Sequence, residues 1–172
     1  MIKITAPLTE DYPPYYGTYI RKVKGDDLIK SLKEIHQQTK DLLKNVSEEK
    51  LNYRYAPGKW SIKEIIGHLI DGERVFAYRA LRFARNDKTP LASFEENDWA
   101  VASNAGHRSF SELMSEYDAV REATILLFDS FDEEMILKKG TASNAEISVK
   151  SLGYVIAGHE QHHAGVIKER YL

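Results

Sequence analysis

Cysteine is absent from the 172 residues. That absence removes disulfides, thiolate metal ligands and a cysteine nucleophile together, so any metal must be held by nitrogen and oxygen. Thiol chemistry would have to use a thiol brought in from outside. No stretch approaches the roughly 20 apolar residues of a membrane span. An excess of one charge is missing too: the formal net charge is −2, with the basic residues spread through the chain, which leaves no electrostatic footprint for nucleic acid. Met1 to Pro7 lacks the apolar core of a secretory signal, and with no cysteine a cytoplasmic setting is expected. A chain of 172 residues is expected to form a single domain over residues 1–172, burying about two thirds of its unfolded surface without staples.

Three of the five prolines, Pro7, Pro13 and Pro14, lie in the first 24 residues together with Tyr12, Tyr15, Tyr16 and Tyr19. They argue against helix there and for an extended, aromatic-rich arm over 1–24, its rings covering one side of a core. From Asp26 or Asp27, plausible N-caps, a first helix is predicted to run to about Asn45, with Ile29, Leu32, Thr39 and Leu43 on its inner face and His36 beside it. Ser61 and Glu64 form a capping box, with Trp60 and Ile65 at the staple positions, opening a second helix that ends near Asn86. His68 lies at the flank of its apolar face. The stretch from Asn86 to His107 has no sustained period and reads as a long connection with a short helical turn near Glu95 to Val101. Phe94 and Trp99 are expected to pin it onto the bundle, and loops of this length often wall a site. Ser109 and Glu112 cap a third helix to about Ser130, Lys138 to Asn144 reads as an exposed turn, and Ser148 opens the fourth. The expectation is an all-α, antiparallel four-helix bundle.

The fourth helix carries His159-Glu160-Gln161-His162-His163, three of the six histidines within five residues. A period of 3.6 stepped from Leu152 lands near 156, 159, 163 and 166, so two histidines interrupt an apolar stripe. His159 and His163 lie one turn apart and about 40° apart around the axis, close enough to share an ion, whereas His162 points off that line. Two imidazoles buried without partners are costly, which favours bonding or metal. The run is not the zinc-protease signature His-Glu-x-x-His. A bundle core lets a ligand arrive from a facing helix, and His68 is the best remaining helical histidine.

At these residues the chain resembles the DinB-like, YfiT-type superfamily of metal-binding four-helix proteins. The resemblance rests on Pro57-Gly58-Lys59-Trp60-Ser61, Gly67-His68-Leu69-Ile70-Asp71-Gly72-Glu73-Arg74 and Ala157-Gly158-His159-Glu160-Gln161-His162-His163. It covers roughly residues 28–170. It implies that His68, His159 and His163 bind a divalent ion, with zinc or nickel leading and manganese or iron also open. It also implies kinship with bacillithiol- and mycothiol-dependent S-transferases.

Two classes of function follow. In the first, a metal-dependent enzyme joins a low-molecular-weight thiol such as bacillithiol to a small electrophile, with metal-dependent hydrolysis as its variant. In the second, the metal only ties helices together, or a bundle face makes a homodimer. Glu73, Glu160 and His162 are candidates for orienting ligands or moving protons, without assigned roles.

Overall fold

Each of the four expected helices starts where its capping residue dictates. In the computed structural model, which describes residues 2–172, they are α1 (Leu28–Leu43), α2 (Ile62–Ala84), α3 (Phe110–Asp129) and α4 (Val149–Arg170). Asp27 accepts from the Lys30 N–H, and Ser148 from the Ser151 N–H. Reciprocal capping boxes close at Ser61 with Glu64 and at Ser109 with Glu112. Each such cap contributes about 1 kcal/mol and fixes where the chain turns into helix.

The helices form the expected four-helix bundle. α4 packs against both α1 and α2, and α3 packs against the same two, so α1 and α2 stand diagonally across from each other. Gly153 makes a tight seam: a Cβ there would lie 2.3 Å from Leu28 and 2.8 Å from Phe128. α4 is more enclosed than a one-faced helix, since every residue from Ser151 to Glu160 is buried. Helices cover one side of it and the N-terminal arm another.

A polar cluster joins the four helices inside this core. Arg121 of α3 donates from Nε and Nη2 to the two carboxylate oxygens of Glu73 on α2, at 2.9 and 2.7 Å. Its Nη1 donates to the Leu32 carbonyl of α1 at 3.0 Å. Nη2 also stands 2.7 Å from Glu160 Oε2 of α4, an ion contact without hydrogen-bond alignment. Tyr117 donates its hydroxyl proton to the other oxygen of Glu160. All four side chains are buried. Burial works against the Arg121 charge, but Glu160 and Glu73 outweigh it and push its pKa further up.

Four segments differ from the sequence expectation. The arm is not simply extended: it contains 3-10 turns at Thr9–Asp11 and Pro14–Tyr16 and a short helix, Gly17–Ile20. Pro14 opens its turn, a position where the missing N–H costs nothing. The exposed turn expected at 138–144 is a hairpin, β1 (Lys139–Ala142) against β2 (Ala145–Ser148). Ser143 and Asn144 both take left-handed φ at its tip, as a two-residue turn between twisted strands requires. Leu91 of the long connection bonds to the far side of β1 through its N–H and carbonyl. Short helices also form at Glu48–Asn52 and Glu133–Leu137. The helical turn expected in the long connection is Glu96–Ala102.

Candidate metal centre

The Ser61 cap sets the rotation of α2, and with it places His68 against α4. The Nε2 atoms of His68 and His159 stand 2.9 Å apart, and those of His159 and His163 3.1 Å apart. Among the described residues these three form the group whose ligand atoms could hold one metal ion. Gly72 keeps the approach close, since a Cβ there would come within 3.3 Å of the His159 ring. Trp60, immediately before the cap, lays its indole 4.7 Å from the His68 ring.

The donor set suits a divalent ion. Burial pushes the His68 imidazole down to about 4 and that of His163 down to about 3, with the neighbouring His68 and His162 charges adding to the effect at His163. His159 is driven well below its ordinary value by burial first and by the other three histidines after it. The rings are therefore neutral at pH 7, the form that coordinates. Two imidazole nitrogens on one ion at about 2.0–2.1 Å stand about 3.0–3.4 Å from each other. Of the observed Nε2 separations, 3.1 Å falls within that span and 2.9 Å just short of it.

In front of the triad lies a cavity of about 510 Å³, walled by Tyr15, Tyr16 and Tyr19 from the arm and by Trp60, Phe76 and Phe94. The arm is fastened there. Leu28 N–H and the Tyr154 hydroxyl both donate to the Ile4 carbonyl, and Lys150 pairs with Asp11 at 3.0 Å. Tyr19 then stands edge-on to His159 and His162, with centroids at 5.2 and 5.6 Å. A second cavity of about 250 Å³ reaches His163 from the Tyr55–Lys59 side and shares Trp60, His162 and His163 with the first.

His162 lies outside the triad but lines both cavities. Glu73 and Glu160, candidates for orienting the histidines, are instead tied to Arg121 and Tyr117. His36 is a packing residue, 4.3 Å from the Tyr117 ring and bonded to Asp118 at 2.7 Å. In the long connection Phe94 lines the larger cavity, while Trp99 packs on Phe94 at 4.8 Å and stays 43% exposed. The tyrosines of the arm are expected to cover a core. Tyr12 does so, Tyr16 and Tyr19 pack against the same core, and Tyr15, Tyr16 and Tyr19 in addition wall the cavity. Arg79 also lines the cavity, a residue the helical pattern alone gives no reason to single out.

Fold and site together define a helical-bundle protein with a three-histidine centre at the floor of an aromatic cavity. Residues 31–167 match the DinB superfamily, and the chain belongs to it. A relative from Oceanobacillus iheyensis, named as a candidate metal-dependent hydrolase, is 27% identical over 152 residues, covering 86% of this chain and 87% of its own. The protein YuaE of Bacillus subtilis, of uncharacterised function, is 29% identical over 155 residues, 79% of this chain and 92% of its own. The solved structure of YfiT from Bacillus subtilis, described as a candidate metal-dependent hydrolase with an unusual four-helix-bundle topology, superposes with a TM-score of 0.74. It does so at 16% identity, over 83% of this chain and 82% of that one. No helix among the described residues is long and apolar enough to cross a membrane.

Proposed function

We propose that His68, His159 and His163 hold a divalent metal ion and that the chain is an S-transferase, joining a low-molecular-weight thiol to a small electrophile. The observation that carries this reading is the pair of cavities meeting at His163, divided by Trp60. Two different molecules can reach the triad from two sides, as a transfer between two substrates needs. A divalent ion held there supplies positive charge that lowers the pKa of a thiol or water beside it. The chain's own groups do the rest. The aromatic walls exclude water from the electrophile and hold it by its apolar body. Glu73 and Glu160 are tied to Arg121 and so are not free to serve as base, and a thiol needs none once its pKa is lowered. The thiol sulfur bonds to the electrophilic carbon, the leaving group departs with the bonding pair, and the thiol proton passes to solvent.

Hydrolysis is the second reading, favoured by the names of the relatives. The test loads purified protein with zinc, nickel or manganese, measures stoichiometry, and offers bacillithiol, mycothiol, glutathione and coenzyme A with alkyl halides and epoxides, beside simple esters alone. Thioether formed by wild type and lost in His163→Ala supports transfer. Ester cleavage without thiol moves the assignment to hydrolase, and protein that takes up no ion sinks both.

A further inference from the structure

We infer that the substrate in the larger cavity carries a carboxylate, which pairs with Arg79 while its reacting end lies at the His68–His159–His163 group. This rests on reading that cavity as the substrate site. Arg79 is 2% exposed, as enclosed as Arg121. Arg121 has two carboxylates; Arg79 has none within ion-pair distance among the described residues. A buried guanidinium without a counter-charge costs several kcal/mol, so its surroundings are incomplete in a way that an anion would complete.

What Arg79 does bond accounts for only part of it. Nη2 donates to the Ala92 carbonyl at 2.8 Å and to Ser143 Oγ at 3.2 Å, fastening the long connection to the hairpin tip. A neutral donor would serve that fastening equally well. A guanidinium has five N–H groups; the bonds to Ala92 and Ser143 both leave from Nη2, and besides these the guanidinium meets, among the polar groups of the described residues, only the neutral Tyr16 hydroxyl. The side chain lines the larger cavity. Tyr16 hydroxyl shares that corner: burial pushes its pKa up, and the Arg79 charge and a hydrogen bond from the guanidinium pull the other way, without supplying a counter-charge. The one carboxylate lining the cavity, Glu96, makes no ion pair with Arg79 and sits on the exposed side of its helix.

Position makes Arg79 a specificity residue rather than a distant anchor. His68, Gly72, Phe76 and Arg79 succeed one another along one face of α2, spaced by four, four and three residues. The Phe76 ring is 6.1 Å from His159 and 5.8 Å from the Arg79 guanidinium. A substrate lying along Phe76 therefore has the triad at one end and a fork of N–H donors, matched to a planar carboxylate, at the other.

The test compares 4-phenylbutyrate with its carboxamide, by titration calorimetry on metal-free and zinc-loaded protein, for wild type, Arg79→Gln and Arg79→Lys. Wild type should prefer the carboxylate by roughly tenfold or more, the worth of one charged hydrogen-bonded pair, whether or not zinc is present. Arg79→Gln should erase the preference and Arg79→Lys keep part of it. Equal binding of the two compounds to wild type overturns the inference, and needs no variant to fold. So does a preference that survives Arg79→Gln, or one seen only with zinc, which would place the carboxylate on the metal. Wild type that prefers the carboxylate but takes up neither zinc, nickel nor manganese would refute the metal reading while leaving Arg79 its role.

Discussion

The carbonyl oxygen of Tyr19 occupies the space that a side chain on Gly158 would fill: a Cβ there would stand 2.1 Å from it. The contact is backbone against backbone, so neither partner can swing aside. It seats the short helix of the arm on α4 one residue before His159.

Gly158→Ala should therefore push the arm off α4. Overpacking of this kind costs about 1–3 kcal/mol, and the variant's urea midpoint should fall accordingly. Cleavage between Tyr12 and Lys24 by a dilute protease should speed up. A variant as stable and as resistant as wild type would mean that the arm is not held there.

Metal binding should stabilise the wild type, by about 2.7 kcal/mol at a hundredfold excess of ion over its dissociation constant. His159→Ala and His163→Ala should lose that gain, and His68→Ala should lose most of it. His162→Ala should keep it, because that ring lies outside the convergence of Nε2 atoms. Differential scanning fluorimetry with and without zinc separates the four.

The triad shows where sequence reading ends. The spacing of His159 and His163 within an apolar stripe was visible, and so were all four helix starts, because caps and periodicity are local. His68 was only one flanking histidine until the family resemblance assigned it. Glu73, Arg121 and Glu160 lie on buried faces, yet a period-based reading counts charged residues as surface. Their pairing across three helices is invisible in one sequence. The hairpin was missed because its tip is Ser143-Asn144, without the glycine that marks such turns. Trp60 was legible as a staple residue, and nothing local showed that its ring would lie on His68.

In the buried cluster one guanidinium serves two carboxyl groups. Arg121→Met leaves both without their cation and should cost about 3–5 kcal/mol. Glu160→Gln keeps the Glu73 pair intact and should cost distinctly less. Chemical denaturation of the two variants checks the order, and the reverse order would show that Glu160, not Arg121, is the keystone of the cluster.

Acid should weaken the chelator-treated protein in a defined window. The folded-state values of His68 and His163 are depressed to about 4 and about 3 by burial, while unfolded imidazole titrates near 6.5. Above pH 6.5 both states are neutral and the contribution is complete. Below it the unfolded chain takes up protons that the folded one refuses, so stability falls until the folded values are passed. The slope is at most about 1.4 kcal/mol per pH unit for each histidine. Urea midpoints at pH 8, 6 and 5 measure it, and His68→Phe should flatten the curve.

The arm that walls the larger cavity lies before residue 31, where the family match begins. The histidines and the tyrosines facing them are thus separable along the chain: one stretch holds the three histidines, the other three of the rings in front of them. Exchanging the first two dozen residues with those of a relative would replace Tyr15, Tyr16 and Tyr19 in one cut while leaving Trp60, Phe76, Arg79 and the three histidines in place.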